Sequence, residues 1–224
     1  MTDQSVFDRL VVRKKEKRGI MESALSRKEL EIKARKQDIL DMAAKLFASK
    51  DFHSVTVDEI AEKVGLSKGT IYLYFDNKEN IFFSILIERT KSLMQALSQA
   101  VESGKPFIEC LRHFIFTYLE YFQEHESFFK IMHSEKTRSS MEAHYQMHDY
   151  ANESIGRFLE IVNALMFKGV EEGHLRSVDV LSMTKMLSGI LNTFTYYRIF
   201  STTDASPYEE TEVILDLFLH GVQK

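Results

Sequence analysis

The segment 67–75 carries the residues whose types and spacing best suit a chemical task, which is contact with a nucleic acid. Its outward helical positions lack the mixture of Glu and Lys typical of a solvated surface, and they hold Lys68, Gly69, Thr70, Tyr72 and Tyr74. A glycine lets the backbone approach a phosphate, hydroxyl groups donate to phosphates and base edges, and a lysine supplies positive charge. The alternative is an ordinary helical hairpin whose tyrosines serve packing.

Two short helices are predicted to hold this segment in place. Thr56 and Glu59 have the spacing of a capping box, and a helix of about two turns follows until Gly65. Ser67 then caps a second short helix, predicted over 68–75. Two such helices joined by a turn of about three residues form a helix-turn-helix. Because neither helix is stable alone, both must pack against the helices on either side.

Helical periodicity extends to both sides of this motif. A capping box at Ser26 predicts that the preceding helix begins there, and apolar residues at helical spacing carry it through Phe47. A longer helix is predicted to open near Lys78 and to continue through Leu97. The free amides at the start of this helix, and of the one after Ser67, are expected to attract phosphate.

Composition indicates an all-α protein of a reducing compartment. Hydrophobic residues make up 44% of the 224 residues, which suffices for a sizeable core, while only 2 prolines and 9 glycines interrupt the chain. A single cysteine, Cys110, excludes a disulfide framework. No apolar run approaches the ~20 residues that span a bilayer, and no signal-peptide core follows the N-terminus. We therefore expect a cytoplasmic protein without a membrane partner.

Charge divides the chain into a basic head and an acidic body. Residues 1–36 hold eleven basic and six acidic residues, a net charge of +5, whereas residues 81–224 hold 13 basic and 19 acidic residues, a net charge of −6. The basic stretch could follow DNA phosphates or enter a minor groove, could lengthen the first helix, or could be a solubilising tail. We favour a helical extension from about Ser26, preceded by a basic segment that raises DNA affinity without sequence preference.

Enzymatic and metal chemistry find little support in the sequence. No Gly-x-Ser-x-Gly elbow is present, and the glycines at 65 and 69 have neither phosphate-loop nor dinucleotide-binding spacing. His144 and His148 have the i, i+4 spacing of metal ligands, but two partly exposed histidines explain that pair better. The sequence therefore predicts no enzyme, no catalytic residue, no cofactor and no bound metal.

The helix-turn-helix region resembles the DNA-binding domain of the tetracycline-repressor (TetR) family. The resemblance covers about residues 35–82 and rests on 39–47, 56–61, the run Val-Gly-Leu-Ser-Lys-Gly-Thr-Ile-Tyr-Leu-Tyr-Phe at 64–75, and Lys78-Glu79. It implies three regions: a basic, partly helical extension over 1–34, a three-helix DNA-binding domain over 35–80, and a larger helical ligand-binding and dimerisation domain over 81–224. By this resemblance, the residues that contact the operator are Thr56, Ser67, Lys68, Gly69, Thr70, Tyr72, Tyr74 and Lys78, with Thr56 and Lys78 on phosphates and Thr70 and the tyrosines nearer the bases.

The larger domain is predicted to bind a bulky apolar molecule, such as a lipophilic drug or an acyl chain. With 17 Phe, 10 Met and 9 Tyr in the chain, its helices carry aromatic stripes that either form ordinary core or line a ligand cavity. The residues that could contact such a ligand are Tyr118, Phe122, Tyr145, His148 and Asn152.

The last two helices carry much apolar surface, so they are predicted to form a four-helix dimer interface, as in the family, through Ile214, Leu217, Phe218 and Gly221. A two-fold dimer would read a palindromic operator. The sequence thus indicates a regulator, most simply a repressor, that a small apolar effector releases from double-stranded DNA. The alternative is a helical small-molecule-binding protein with a vestigial helix-turn-helix.

Overall fold

The computed structural model describes residues 4–50, 52–126, 129, 141–177, 179–201 and 205–221, with side chains omitted for 4–26, 141–149 and 151. None of these residues lies in a strand. The helices are α1 (Gln4–Ser49), α2 (Val57–Val64), α3 (Lys68–Ile71), α4 (Lys78–Glu102), α5 (Phe107–Glu124), α6 (Met141–Glu171), α7 (Val180–Phe200) and α8 (Pro207–His220). The all-α fold predicted from the sequence is confirmed.

Helix α1 is much longer than predicted. It spans 46 residues and passes through Ser26 without interruption, so the predicted helix start at that residue is wrong. A capping sequence specifies a start only if the chain before it leaves the helix, and no proline or glycine pair here forces it to do so. Residues 27–38 are all exposed, and the first buried residue is Ile39. The N-terminal part of α1 therefore projects from the globular body.

Helices α1 to α3 and the start of α4 enclose a first core cluster. Its centre is a group of three phenylalanines, in which Phe47 and Phe82 have ring centroids 5.4 Å apart and Phe52 lies 5.2 Å from Phe82. Ile60 and Ile71 attach the two short helices to this centre and are fully buried. The helix-turn-helix therefore takes its stability from burial against α1 and α4 and not from its own helices.

The second core cluster lies among α4 to α8. Its members on α4 begin at Leu93, whereas the first cluster reaches Leu86, so the change from one core to the other falls inside α4. The predicted division between residues 80 and 81 lies earlier than this change. One continuous helix thus belongs to both cores and connects them mechanically.

Capping contacts fix the ends of the helices in the second cluster. The predicted capping box at Ser206 is confirmed, with Pro207 at the first helical position. Glu172, in the turn after α6, accepts a hydrogen bond of 2.7 Å from the backbone N–H of Phe107 and so caps α5. A Cβ atom at Gly169 would lie 2.7 Å from both Phe107 and Leu175, so only glycine fits at this crossing.

Among the described residues, no helix is both long enough and apolar enough to cross a membrane.

Candidate nucleic-acid interface and effector site

The turn between α2 and α3 is built from a left-handed glycine and a serine cap. Gly65 has φ 74°, a conformation that side chains with a Cβ adopt at a cost, and it ends α2 as predicted. Ser67 caps α3, its Oγ accepting a 3.1 Å hydrogen bond from the N–H of Thr70 and lying 2.8 Å from the Thr70 hydroxyl. The side chains of Ser67 and Thr70 therefore define the shape of the segment before any DNA binds.

Helix α3 is shorter than the sequence predicted. It ends at Ile71, and the next residues form a tight turn in which Leu73 N–H bonds the Thr70 carbonyl at 3.2 Å and Tyr74 N–H bonds the Ile71 carbonyl at 2.9 Å. These i to i−3 bonds wind the backbone more tightly than an α-helix does. Tyr72, Leu73 and Tyr74 thus project at angles that a helix continuing to residue 75 would not produce.

The outward side of the segment 67–74 carries three residues that contribute little to the fold. A Cβ atom at Gly69 would meet only the Ser67 Oγ, at 3.8 Å, so internal packing does not require glycine there. Tyr72 is 46% exposed and Leu73 is 82% exposed. Leu73 is not among the contacts predicted from the sequence, because a single leucine among helical residues gives no sign of facing solvent. Only the tight turn reveals it.

Lys68 is held in place by an acidic residue of the preceding helix. Its Nζ lies 2.6 Å from Asp58 Oδ2, and this hydrogen bond raises the pKa of Lys68. Both groups are exposed, so the ion pair adds little to stability. The cation therefore stays charged and can exchange its carboxylate partner for a phosphate at small cost.

Thr56, Lys78 and Tyr74 have structural partners within the domain. The hydroxyl of Thr56 accepts a 3.2 Å hydrogen bond from Glu59 N–H at the start of α2. Lys78 Nζ donates to the carbonyl of Phe52 at 2.8 Å and lies 4.4 Å from the centroid of that ring. Tyr74 is half-buried against the first core cluster. All eight predicted DNA contacts thus lie between the start of α2 and the start of α4, and Ser67, which caps α3, also has a second role in the fold.

The effector candidates are split between the core and the solvent. Tyr118 on α5 is buried, its ring centroid 4.8 Å from that of Phe122 and 5.4 Å from that of Phe158 on α6. Burial raises the pKa of the Tyr118 hydroxyl, which is therefore a neutral donor at any ordinary pH. Asn152 is exposed, and the side chains of Tyr145 and His148 lie outside the described residues.

The predicted dimer residues on α8 differ in exposure. Ile214 is fully buried and Phe218 is 7% exposed, both within the protomer's own second cluster, so little of either side chain is left for contact with a partner subunit. Leu217 is half-buried and Gly221 is exposed. The exposed apolar residues of this region lie mostly on α7, where they are Leu181, Met186, Tyr196, Tyr197 and Phe200. Periodicity identified the apolar helices correctly, but it could not tell which stripe faces inward.

The two clusters meet through polar contacts around the middle of α4. Arg89 Nη1 donates to His125 Nδ1 at the end of α5, at 2.6 Å, and the Tyr121 hydroxyl donates to the Arg89 carbonyl. On the opposite side, Gln37 of α1 donates to Glu88 at 3.1 Å. These residues line a cleft of about 210 Å³. A displacement of α5 relative to α4 would therefore disturb the contacts of Arg89 and, through the adjacent Glu88, the hydrogen bond to Gln37 of α1.

The described residues include no group of three or more His, Cys, Asp or Glu side chains arranged to hold a metal ion.

Comparisons with known proteins agree with the helix-turn-helix geometry. Residues 39–85 match the family model described as "Bacterial regulatory proteins, tetR family". The TetR family transcriptional regulator PfmR of Thermus thermophilus is 30% identical over 83% of this chain and 99% of its own, with a TM-score of 0.65.

Three further matches have names that refer to fatty acid metabolism or to repression. The fatty acid metabolism regulator protein of Bacillus subtilis is 22% identical over 82% of this chain and 93% of its own. The structure of this organism's FadR in complex with stearoyl-CoA aligns with a TM-score of 0.68, 22% identity and coverage of 84% of this chain and 99% of that one. The repressor KstR2 of Rhodococcus jostii is 29% identical over 65% of this chain and 71% of its own.

Proposed function

Since the chain belongs to the TetR family of bacterial transcriptional regulators, we propose that it is a homodimeric repressor that binds a palindromic operator and is released by a long-chain acyl-CoA. The observation that carries the DNA-binding part is the outward side of the segment 67–74. There, Gly69 and Leu73 have no packing role, while Ser67 and Thr70 fix the local shape through their own hydrogen bonds.

The expected division of labour on DNA follows from the positions of the side chains. Lys68, Lys78 and Thr56 would contact phosphates, since cations and hydroxyls at helix starts position a protein on the duplex. Thr70, Tyr72 and Tyr74 would lie nearer to base edges, and Leu73 would pack on a thymine methyl group in the major groove. Gly69 would permit the close approach that these contacts need.

The effector assignment rests on the aromatic cluster between α5 and α6. Tyr118, Phe122, Phe158 and Phe129 form a chain of ring contacts from the core toward the end of α5. Apolar rings of this kind would suit contact with an acyl chain, and the neutral Tyr118 hydroxyl would orient a carbonyl group of the ligand. Tyr145, His148 and Asn152 on α6 remain candidates for contact with the polar end of the ligand. The stearoyl-CoA bound to Bacillus subtilis FadR supports this choice of ligand.

Dimerisation is proposed through α7 together with the exposed side of α8. Met186, Tyr197 and Phe200 would pack against their counterparts, with Leu217 and Gly221 at the edge of the interface. Exposed aromatic and methionine side chains of this kind are typical of the centre of a protein interface.

The effector would release the protein from DNA through a movement of α4. This helix would start beside the DNA at Lys78, and its Arg89 bonds His125 at the junction of the two clusters. A ligand that separates α5 from α6 would move α5 and so change the spacing of the two recognition segments in the dimer. The shift can be no larger than the ligand's differential affinity for the two conformations.

The test begins with duplexes selected from a random library by the purified protein. A selected duplex should bind the wild type in a fluorescence anisotropy assay, stearoyl-CoA should weaken that binding, and stearic acid and free coenzyme A should serve as controls. The Thr70→Ala and Tyr74→Phe variants should lose sequence preference yet keep the dimer mass in light scattering. A protein that binds no duplex even at low salt, but binds stearoyl-CoA, would instead be the small-molecule-binding protein with a vestigial helix-turn-helix.

A further inference from the structure

The part of α1 before residue 37, called the extension below, projects from the protein beside the segment 67–74, called the recognition segment below. Lys36, in the last exposed turns before the first core, has its Nζ 5.1 Å from the centroid of the Phe75 ring, directly after Tyr74. From residue 36 back to Gln4 the helix extends for about 50 Å at 1.5 Å per residue. A DNA duplex bound at the segment 67–74 would therefore lie close to the point where this extension joins the protein.

The described side chains of the extension lie outside both core clusters. Residues 27–38 are exposed on all sides and make no part of either core cluster. An isolated helix draws little stability from propensity alone. A free-standing helix of this length is consequently expected to be stabilised when something binds along it.

The charges of the extension are segregated around the helix. At 100° per residue, nine of the eleven basic residues in 1–36 fall within about half of the circumference, the exceptions being Lys15 and Lys33. Of the five acidic residues that α1 contains before residue 37, only Glu31 shares that half. Asp8, Glu16, Glu22 and Glu29 fall in the other half together with the two exceptions.

We propose that the basic half of this extension binds the phosphate backbone of the operator-flanking duplex, which gives each protomer a second, sequence-independent DNA contact. This proposal rests on the proposed DNA-binding function and deepens it. The segregation of charge favours a polyanion over a solubilising tail, because a tail gains nothing from placing its cations on one side. Position and charge together select DNA, since Lys36, at the end of the extension, lies against Phe75 beside the recognition segment.

The chain offers a matched pair of variants for a test. Lys17 and Lys28 fall near the middle of the basic half, whereas Lys15 and Lys33 fall together in the other half. The double variants Lys17→Gln/Lys28→Gln and Lys15→Gln/Lys33→Gln therefore remove the same charge with the same change of side chain. All four positions lie outside the recognition segment in the sequence, and Lys36 is left intact because it contacts Phe75.

The measurement is the dependence of affinity on salt, with a fluorescein-labelled 40-base-pair duplex pool of random sequence as the probe. Removing four phosphate contacts per dimer should make the negative slope of log K against log salt less steep by about 3 to 4 and weaken binding at least about tenfold near 0.15 M salt. The variant Lys15→Gln/Lys33→Gln should match the wild type within about 0.5 in slope.

Other outcomes separate the alternatives. Equal slopes for both variants and the wild type would overturn the inference, while duplex binding itself would leave the proposed function standing. A wild type that binds no duplex at 20 mM salt would overturn both. A change of mass in light scattering for Lys17→Gln/Lys28→Gln, with an unchanged slope, would instead identify a second copy of the extension as the partner.

Discussion

The DNA-facing segment and the aromatic core of the larger domain place their functional residues in opposite ways. In the segment 67–74, most residues that would read DNA lie outside the first core, while Ile71 is fully buried in it and Tyr74 packs half-buried against it. In the larger domain, Tyr118 is itself a member of the second core, and its aromatic neighbours Phe122 and Phe158 pack against that core. Binding and folding are thus separable in one region and combined in the other.

This difference has a consequence for interpreting variants. A substitution on the outward side of the segment changes a surface without leaving a cavity, so its effect on DNA affinity is direct. A substitution among the rings of α5 and α6 removes packing and binding together. The same loss of regulation in a cell would therefore have different physical causes in the two regions.

The largest expected effect is loss of stability in the second cluster when a buried ion pair is broken. Arg198 is buried and donates to Glu210 at 2.7 and 2.9 Å, to Gln123 at 2.8 Å and to the Ala205 carbonyl at 2.9 Å. Glu210→Ala leaves this guanidinium without its carboxylate, which should lower the free energy of unfolding by about 3 to 5 kcal/mol. Urea denaturation followed by circular dichroism measures this loss.

A matched control for that prediction lies on the same helix. Glu212 pairs with Arg112 at 2.7 Å, but both side chains are about 40% exposed. Glu212→Ala should therefore cost no more than about 1 kcal/mol. Equal losses for the two variants would mean that burial does not distinguish these pairs, and the contrast between surface and core would fail for charged residues.

The second effect concerns Leu73, where binding and folding should separate. Leu73→Ala should weaken binding to the selected duplex about tenfold, since fully burying a leucine side chain is worth about 1.5 to 3 kcal/mol. Its free energy of unfolding should stay within about 0.5 kcal/mol of the wild type, because the side chain is 82% exposed.

Ile71→Ala, two residues earlier in the chain, should instead affect the stability of the fold. Ile71 is fully buried, so this variant should lose about 2 to 5 kcal/mol of stability. If Leu73→Ala destabilises the protein as Ile71→Ala does, the turn after α3 is not a free surface.

The sequence was sufficient where a local rule determines the structure. Gly65 ends α2 and Ser67 caps α3 because a left-handed residue and a short hydroxyl side chain satisfy local backbone groups, and these rules need no tertiary information. The same holds for the capping box at Ser206. The family resemblance added which of these residues would face DNA.

The sequence was insufficient where packing decides between equivalent patterns. Ile214 and Leu217 have the same helical period, yet one is buried in the protomer and the other is half-buried, because the second cluster selects which stripe of α8 it covers. Ser26 has a good capping sequence within a helix that simply continues. The exposure of Leu73 depends on a tight turn that propensity does not reveal.

A smaller effect is expected at Gly69. Gly69→Ala fits the structure, since the new Cβ would meet only Ser67 Oγ at 3.8 Å, and it should leave stability unchanged or raise it by less than about 1 kcal/mol. Binding to the selected duplex should nevertheless weaken, because a methyl group would stand between the backbone and the phosphate. Thermal melting and anisotropy on the same sample test both statements, and unaltered affinity would show that the backbone at residue 69 does not approach the DNA.

The smallest effect is a pH dependence at the junction between the two clusters. Burial, aided by the positive charge of Arg89, lowers the pKa of His125 below its ordinary value. The unfolded chain then binds a proton more readily than the folded protein as the pH falls through about 6.5, so the folded state loses stability on the acid side and keeps it above that pH. In His125→Gln this loss should be absent, and melting temperatures measured between pH 7.5 and 5.5 should therefore fall more steeply for the wild type than for the variant. Parallel curves for the two proteins would show that His125 does not cause the pH dependence of stability. A steeper wild-type curve would place a titrating group where the end of α5 contacts Arg89 of α4, the helix that begins at Lys78.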